Sequence, residues 1–433
     1  MKVEIHTLGC KVNQYESEAM MSMLEEEGFF RAKKGEKADI LIVNSCTVTS
    51  TSDSKVRKTF HRIKRENPAA LTVLTGCMPQ AFPEIAAEFP EADIIIGTKN
   101  RNRLPEHIMN YLSSRQQIVD IAPHESGEAF EKMVVKAFGE RTRAFLKIQD
   151  GCNRFCAYCI IPYARGRVRS KSLAEIEPEI RELAENGHCE IVLTGINLSA
   201  YGQDIGAELC DAVEVACKAE EVKRVRLGSL EPERLSDSVI ARLAAQKKFC
   251  PQFHLSLQSG CDETLERMNR HYTAAEYKKT VEKLRKAFDN PAITTDIMVG
   301  FPGETDEEFA KSLRFAEEVG FAKVHVFAYS RRAGTKAYDA PNQVDERIKT
   351  LRSKQMIEAT EATQRMFCEN MTGRIEEVLL ERAIGENIYE GYTMNYTPVR
   401  VNSARNLQGI LLKVKITKAE KEFCHGEIQE NAE

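Results

Sequence analysis

Short apolar segments alternate with helical segments from the N-terminus to about Ala328, and this alternation limits the possible folds more than any other feature. In the first third, the predicted strands are Val3–Leu8, Ala38–Val43, Leu71–Thr75 and Ala92–Ile96. The helical segments between them include Glu16–Glu27 and Asp53–Arg65. Strands that alternate with helices form a parallel sheet with helices on its faces. The chain is therefore expected to be an α/β protein that begins with an open parallel sheet.

The central part of the chain repeats this pattern on a larger scale and predicts six strand–helix units. Its predicted strands are Phe145–Gln149, Ile191–Thr194, Arg224–Leu227, Phe253–Leu257, Thr294–Val299 and Lys323–Ala328. Helical segments such as Leu173–Asn186 and Ala274–Ala287 separate them. Six such units predict a partial (β/α)6 barrel, in which functional groups are expected at the carboxyl ends of the strands.

Two segments connect these regions, and the C-terminal part has a different character. A polar linker is predicted over Ser113–Glu140 and a long helix over Asp345–Asn370. Five short strands are then predicted at Ile375–Glu381, Ile388–Met394, Thr397–Val401, Gly409–Ile416 and Glu422–Ile428. Many short strands with little helix predict a small β-barrel. We therefore expect three domains, at residues 1–120, 138–370 and 371–433, in agreement with the length of the chain.

The first residues and the cysteine content indicate the compartment. The segment Met1–His6 lacks the apolar core of a signal peptide, and no apolar run is long enough to cross a bilayer. The protein is therefore expected to be cytoplasmic and to have no membrane partner. Thirteen cysteines in a reducing compartment favour metal ligation over disulfides. The formal net charge of −4 provides no overall positive field, so nucleic-acid binding would depend on local basic segments.

The segment Gly151–Cys159 contains three cysteines at the spacing C-x3-C-x2-C, directly after the first barrel strand. Cys152, Cys156 and Cys159, here called the cluster-loop trio, are therefore expected to bind one [4Fe–4S] cluster. Such a cluster usually takes four thiolates, so three leave one iron open for a small molecule. A zinc site or three incidental cysteines are the alternatives, but no fourth ligand lies nearby at zinc-finger spacing.

A second set of cysteines is distant in sequence but equivalent in position. Cys10, Cys46 and Cys77, here called the sheet-edge trio, each follow a predicted strand of the first domain. The carboxyl ends of parallel strands share one edge of the sheet, so these cysteines are expected to converge there. Space-filling buried cysteines are the alternative. The remaining cysteines show no comparable pattern and are interpreted as structural.

Polar residues and glycines stand at or near the carboxyl ends of the second to fifth barrel strands. They are Gly195, Asn197, Ser229, Glu231, Ser256, Gln258 and Asp296. Each one alone is also compatible with turn or capping chemistry. As a set, they predict a cofactor pocket at the catalytic face of the barrel.

The cluster loop, with the aromatic Tyr158 before its last cysteine, resembles the signature of radical S-adenosylmethionine enzymes. The resemblance implies that the amino and carboxylate groups of S-adenosylmethionine bind the open iron, with Tyr158 among the cofactor contacts. One electron then cleaves the cofactor to a 5′-deoxyadenosyl radical. The cofactor supplies the difficult chemistry, and the protein supplies placement and exclusion of water.

Further segments resemble the methylthiotransferase family over essentially the whole chain. They are Leu8–Ser17, Val43–Val48, Thr75–Cys77, Gly166–Arg167, Leu257–Asp262 and Tyr329–Thr335. This family combines a methylthiotransferase N-terminal domain, a radical barrel and a C-terminal TRAM domain in that order. The resemblance implies two [4Fe–4S] clusters, of which the second carries the sulfur that is inserted, and two molecules of S-adenosylmethionine per product. It also implies an external electron donor such as a flavodoxin.

The segment Gly9–Gln14 resembles the branch of the family that acts on N6-threonylcarbamoyladenosine at position 37 of tRNA. This implies a partner in the anticodon loop, where unstacked bases are open to recognition. Isopentenyl-adenosine 37 of tRNA and an aspartate of a ribosomal protein are the alternative substrates. A different class of function, an iron–sulfur redox sensor that binds RNA, is the non-enzymatic alternative.

Local basic residues are candidate phosphate contacts for an RNA partner. They are Lys55, Arg57, Lys58, Arg62, Lys64 and Arg65 on one predicted helix, Arg165, Arg167, Arg169 and Lys171 after the cluster loop, and Arg400, Arg405, Lys413 and Lys415 in the last domain. Such charge runs also occur on solvated helix faces. The last domain has slightly more acidic than basic residues, so only a local patch is expected there.

Overall fold

The computed structural model describes residues 1–33, 35–139 and 141–429. The strands of its N-terminal sheet are β1 Lys2–Thr7, β2 Phe30–Arg31, β3 Ile40–Ser45, β4 Leu71–Gly76, β5 Ile94–Ile96 and β6 Ile118–Asp120. All pairings in this sheet are parallel, in the spatial order β2-β1-β3-β4-β5-β6. The helices of this part are α1 Lys11–Glu26, α2 Ser50–Glu66, α3 Cys77–Ala81 and α4 Leu104–Ser114, with 3-10 turns at Pro83–Glu88 and Arg101–Arg103. The predicted open parallel sheet is confirmed.

The central strands of this sheet are buried on both faces, as the continuous apolar runs predict. Helices α1 and α4 pack on one face of the sheet, against Ile40 and Val73. Helix α2 packs on the other face, where its Phe60 lies in the same core as Val43. Helix α1 begins at Lys11 rather than at the predicted Glu16. The strand therefore passes into the helix through only a few residues.

Parts of the segment predicted as a linker, Ser113–Glu140, are packed into the fold. Its residues Ile118–Asp120 pair with β5 as a sixth strand, and Met133, Val135 and Phe138 are buried in the core of the barrel. The strands predicted from the sequence also do not include β2. Strands of two or three residues are too short to show a periodic pattern, which explains both omissions. Glu140, where the predicted linker ends, lies outside the described residues.

The central strands form the predicted partial barrel. They are β7 Arg143–Asp150, β8 Arg169–Ser170, β9 Glu190–Gly195, β10 Arg224–Leu227, β11 Gln252–His254, β12 Ala292–Val299 and β13 Lys323–Ala328. The parallel sets β7-β9-β10 and β11-β12-β13 are joined by isolated bridges such as Leu230 to Leu255, and β8 is a short antiparallel edge on β7. Strand β11 ends at His254 rather than at the predicted Leu257, and the carbonyls of Ser256 and Leu257 accept hydrogen bonds from the Tyr272 hydroxyl.

Helices surround the barrel, and one long helix leads away from it. They are α5 Ile161–Arg165, α6 Leu173–Glu185, α7 Leu209–Lys218, α8 Asp237–Ala244, α9 Asp262–Arg267, α10 Ala274–Ala287, α11 Asp306–Val319 and α12 Glu346–Glu369, with 3-10 turns at Leu198–Ala200 and Pro232–Arg234. Helices α10 and α11 begin with capping boxes at Thr273 and Thr305, which satisfy free backbone donors and define where each helix begins.

The C-terminal strands close into the expected small barrel. They are β14 Ile375–Gly385, β15 Ile388–Thr393, β16 Pro398–Asn402, β17 Leu411–Ala419 and β18 Cys424–Ile428, in the closed order β14-β15-β16-β18-β17. The inward residues Val378, Val399 and Val414 form its core. The fold class is therefore confirmed. The final residues 430–433 of the predicted third domain lie outside the described part of the chain.

Among the residues that the structure describes, no helix combines the length and apolar character that a bilayer crossing requires.

Candidate iron–sulfur and cofactor site

The sheet-edge trio lies where three adjacent parallel strands end. Cys10 is the N-cap of α1 after β1, Cys46 directly follows β3, and Cys77 is the first residue of α3 after β4. Two of these cysteines are preceded by glycines with positive φ: Gly9 at +134° and Gly76 at +104°. A Cβ on Gly9 would lie 3.0 Å from the Cys46 Cβ, and one on Gly76 would lie 2.5 Å from the Ser45 oxygen. Glycine therefore permits the close approach of these strand ends.

The three thiols of this trio share one environment. Cys46 and Cys77 are buried, whereas Cys10 keeps solvent access on one side. Packing of the protein around the sulfur raises the pKa of Cys10, and burial raises the pKa of Cys77 to about 12, with the Cys46 thiol acting in the same direction on both. Coordination to a metal removes the proton of such thiols. Their chemistry suits a metal cluster better than a free nucleophile.

The cluster-loop trio lies on the loop between β7 and α5. The loop is held by backbone hydrogen bonds from Cys152 to Gly166 (3.0 Å) and from Cys159 to Cys156 (2.9 Å). Burial raises the pKa of both Cys152 and Cys159, and the neighbouring Cys156 thiol contributes in each case. The three thiols are therefore close enough to interact electrostatically, as binding of one cluster requires.

In the described residues, no three His, Cys, Asp or Glu side chains lie close enough together to bind a single metal ion. The thiolates that bind a [4Fe–4S] cluster can lie farther apart than the ligands of one metal ion, because each thiolate binds a different iron atom. The donor sets of both trios, three thiols each, suit a cluster of this kind.

Polar groups from other barrel strands reach the cluster-loop trio. The Asn197 amide Nδ2 lies 3.6 Å from the Cys152 sulfur, and the Arg270 guanidinium donates to the Cys156 sulfur at 3.3 Å. The same guanidinium pairs with Glu231 and contacts the Ser256 carbonyl. The structure thus brings the predicted residues Asn197, Glu231 and Ser256 to this trio, and it adds Arg270, which the sequence patterns do not single out.

Two more predicted residues lie at this end of the barrel. Gln258 has a left-handed backbone (φ +69°), and its side-chain Oε1 is buried without a hydrogen-bond partner among the described residues. A buried acceptor of this kind normally has a partner, so a bound ligand would satisfy it. The Tyr158 ring packs edge-to-face on Phe301, with centroids 6.3 Å apart.

The remaining predicted residues have different surroundings. A Cβ on Gly195 would lie 2.7 Å from the Gln149 Oε1, which accepts from the Asn197 backbone N–H at 2.7 Å. Glycine at 195 therefore leaves room for the side chain that positions the Asn197 backbone. Asp296 lies 3.2 Å from the His254 Nε2, inside the barrel, and Ser229 lines an internal cavity.

This cavity, of about 410 Å³, lies between the barrel interior, the start of α1 and the C-terminal barrel. Its lining includes Lys11, which directly follows Cys10, and Ser229, which lies two positions before Glu231. Lys11 is thus the lining residue that connects this cavity to the sheet-edge trio.

A buried ionic network joins the sheet-edge trio to the barrel. Glu16 of α1 accepts from Lys147 at 2.8 Å and from Arg165 at 3.0 Å, and it pairs with Arg101 at 2.6 Å. The Arg165 Nε also donates to the Cys77 sulfur at 3.1 Å. Burial favours the neutral acid, but Arg101, Arg165 and Lys147 outweigh it and hold the pKa of Glu16 well below 4.5. The network therefore fixes the N-terminal sheet against β7 and α5.

This network corrects one expectation from the sequence. Arg165, Arg169 and Lys171 are buried, and they pair with Glu16, Glu128 and Glu179, respectively. These side chains are therefore structural cations rather than phosphate contacts, and only Arg167 of that segment is exposed. On helix α2, the exposed basic residues are Lys55, Lys58, Arg62 and Arg65.

Comparison with known proteins shows to which family this chain belongs. The Radical SAM superfamily matches residues 146–316, and Uncharacterized protein family UPF0004 matches residues 2–97. The chain is 38% identical to the threonylcarbamoyladenosine tRNA methylthiotransferase MtaB of Bacillus subtilis, over 98% of this chain and 96% of that protein. The chain belongs to the radical S-adenosylmethionine methylthiotransferases. It is also 35% identical to the tRNA-2-methylthio-N(6)-dimethylallyladenosine synthase of Caldicellulosiruptor saccharolyticus, over 98% and 92% of the two chains.

A solved structure shows the same fold. The radical S-adenosylmethionine methyltransferase TsrM from Kitasatospora setae, with cobalamin and a [4Fe–4S] cluster bound, superposes with a TM-score of 0.57 at 16% identity. The match covers 78% of this chain and 77% of TsrM. Family membership confirms the expected enzyme class and its cofactors, [4Fe–4S] clusters and S-adenosylmethionine.

Arg270 provides a first test of the site in this methylthiotransferase. Arg270→Met removes the only cation seen in contact with the Cys156 sulfur in the described chain and leaves Glu231 without its partner. We expect 5′-deoxyadenosine formation by the reduced enzyme to fall about 10- to 100-fold, the usual effect of losing a group that supports metal ligands.

The matched control for this variant is Arg267→Met. Arg267 is partly exposed, and its guanidinium pairs with Glu308. The control should keep the wild-type rate of 5′-deoxyadenosine formation. Equal rates for Arg270→Met and wild-type enzyme would show that Arg270 does not support the cluster.

Proposed function

We propose that this enzyme converts N6-threonylcarbamoyladenosine at position 37 of tRNA into its 2-methylthio derivative. The observation that carries the proposal is that each of two domains presents one cysteine trio and that Arg165, six residues after Cys159 of one trio, donates to the Cys77 sulfur of the other at 3.1 Å. A relative that is 38% identical over nearly its whole length carries the name of this activity.

The two trios have different proposed roles. Cys152, Cys156 and Cys159 hold the cluster whose open iron binds S-adenosylmethionine, and Cys10, Cys46 and Cys77 hold the cluster that carries the sulfur. With the cofactors bound, the site supplies one-electron chemistry that can replace an aromatic C–H, on which polar catalysis has little effect. Support comes from the burial of Cys46, Cys77 and Cys156 and from the groups that contact the sulfurs of both trios.

The chain's own residues bind and orient the cofactor in this proposal. The proposed contacts of S-adenosylmethionine are Tyr158, Gly195, Asn197, Ser229, Glu231, Ser256, Gln258 and Asp296. Gln258 has the strongest support, because its buried Oε1 lacks a partner in the described structure. Glu231 is already paired with Arg270, so it supports the cofactor site through that cation. Packing of Tyr158 on Phe301 limits water at this end of the barrel.

The proposed RNA partner is the anticodon loop. The exposed residues Lys55, Lys58, Arg62 and Arg65 form a basic surface on α2, which begins shortly after Cys46. In the last domain, Arg405, Lys413 and Lys415 are exposed, whereas Arg400 is engaged by Glu390 at 3.0 Å. Exposed cations of this kind neutralise phosphates without reading sequence.

The remaining expectations are also part of the proposal. We place a methylthiotransferase N-terminal domain at 1–120, the radical barrel at 138–370 and a TRAM domain at 371–433. The enzyme works in the cytoplasm, where tRNA is found, with an electron donor such as a flavodoxin. All thirteen cysteines are free thiols, as a reducing compartment requires.

Mass spectrometry of nucleosides from total tRNA tests this function. In a strain that lacks the gene, 2-methylthio-N6-threonylcarbamoyladenosine should disappear and its unmodified precursor should accumulate, and a plasmid copy of the gene should restore it. Persistence of the methylthio nucleoside would overturn the proposal. Loss of 2-methylthio-isopentenyl-adenosine instead would assign the enzyme to the substrate named for its 35% identical relative.

A further inference from the structure

Polar side chains form part of the wall of the cavity next to Lys11. Its walls include Ser229 of the third barrel unit, His254 and Thr294 of adjacent strands, and His325 of β13. His254 Nδ1 lies 3.0 Å from the Thr294 hydroxyl, and its ring is 5.8 Å from that of His325. A volume of about 410 Å³ is enough for a nucleobase with a polar substituent.

The C-terminal barrel closes one end of this cavity. Arg224 and Arg226 donate to the backbone carbonyls of Tyr392 and Met394, at 2.9 and 3.0 Å. The rings of Tyr392 and Tyr396 stack with centroids 4.4 Å apart, and Tyr396 also lines the cavity. The last domain therefore provides a fixed floor for whatever enters the barrel.

Lys11 is the surplus charge in this space. The three arginines at the floor each have a carboxylate: Arg143 pairs with Glu381 at 2.6 Å, Arg224 with Glu377 at 3.3 Å and Arg226 with Glu190 at 2.9 Å. Of the carboxylates near Lys11, Glu190 is thus already engaged by arginine. In the described part of the chain, Lys11 itself makes no salt bridge, whereas Lys323, the other lysine of the lining, lies 4.0 Å from Glu422. The cavity therefore holds one ammonium group without a counter-ion.

We propose that this cavity binds the N6 substituent of the tRNA adenosine and that the Lys11 ammonium pairs with its carboxylate. The inference rests on the proposed function and adds the residue that selects the substrate. A threonylcarbamoyl group carries a carboxylate, a hydroxyl and a urea, which match Lys11 and the polar wall. An isopentenyl group is neutral and apolar, so it would displace water from the ammonium without replacing its interactions. Lys11 directly follows Cys10, so this anchor keeps the adenine next to the sheet-edge trio.

The test compares the Lys11→Met and Lys11→Arg holoenzymes with wild-type enzyme. The probes are anticodon stem-loops that carry N6-threonylcarbamoyladenosine, isopentenyl-adenosine or plain adenosine at position 37, and both Kd and turnover are measured. Loss of a charge partner should weaken binding of the first RNA by Lys11→Met at least about 30-fold, with less than about threefold change for the other two. Lys11→Arg should restore most of the preference.

Two further variants keep the test decisive. His325→Leu changes another residue of the cavity wall, on β13, and should also weaken only the threonylcarbamoyl RNA. Lys136→Met, which removes an exposed lysine that pairs with Glu26, should behave like wild-type enzyme. Iron content, measured on each sample, should equal that of the wild-type enzyme.

The outcomes separate this inference from the function on which it rests. An equal loss of affinity for all three RNAs, or no loss, would overturn the role of Lys11 even if wild-type enzyme modifies the first RNA. If wild-type enzyme does not modify that RNA at all, the proposed function fails and this inference fails with it.

Discussion

Cys152→Ala is expected to abolish 5′-deoxyadenosine formation and to remove about half of the iron and sulfide of the reconstituted enzyme. A cluster left with two of its three thiolates is poorly held, so each trio should lose its cluster independently. Cys10→Ala should therefore lose a similar amount of iron but still form 5′-deoxyadenosine, because the cluster-loop trio is intact. Neither variant should form the methylthio product. Iron and sulfide analysis under anaerobic conditions measures the cluster content. Chromatography of the nucleosides measures 5′-deoxyadenosine and the methylthio product.

The matched control is Cys189→Ala. Cys189 is half-buried at the start of β9 and belongs to neither trio, so this variant should keep the full iron content and both activities. A wild-type enzyme with a single cluster, or a Cys10→Ala variant with unchanged iron, would contradict the assignment of the sheet-edge trio.

The largest effect on stability is expected for Glu16→Gln. This side chain is fully buried and interacts with Arg101, Lys147 and Arg165, so its neutralisation leaves three buried cations with less compensation. Breaking a buried ionic network in this way typically costs about 3–5 kcal/mol. We expect a clear fall in the midpoint of urea unfolding, together with loss of iron from the adjacent sheet-edge trio, because Arg165 also contacts Cys77.

An exposed glutamate provides the control for this variant. Glu66→Gln removes a surface pair with Arg62 (3.0 Å) and should change stability by less than about 0.5 kcal/mol. The pKa of Glu16 is lower in the folded than in the unfolded protein, so its contribution is complete at neutral pH. That contribution should decline only as the pH falls below about 4.5. Equal unfolding midpoints for the two variants would show that the network does not stabilise the fold.

Several correct predictions depended on short-range patterns. The spacing of Cys152, Cys156 and Cys159 identified the loop, and strand–helix alternation predicted the order of the three structural units. Helix α10 begins and ends where the sequence predicts, at Ala274 and Ala287, because a capping box and an amphipathic pattern both mark it. The ligand roles of the six cysteines remain predictions that the iron analysis will test.

The sequence predictions failed for charged residues whose interaction partner lies far away in the sequence. The basic run after the cluster loop resembles a phosphate-binding segment, yet Arg165 finds its carboxylate at Glu16, 149 positions away. Likewise, Arg270 contacts Cys156 from 114 positions away, and no local pattern marks it. A side chain's burial and charge partner depend on which elements pack together, and sequence neighbours do not encode that.

The sequence by itself determined the α/β class and the family of the enzyme, and it predicted the two cysteine trios, because periodicity and local spacing specify secondary structure and short motifs. Only the tertiary structure decided which charges are buried, how Glu16 joins the N-terminal sheet to the barrel and that Lys11 lines the cavity without a salt bridge among the described residues. The physical reason is that the cost of burying a charge depends on all groups packed around it, and those groups come from distant parts of the chain.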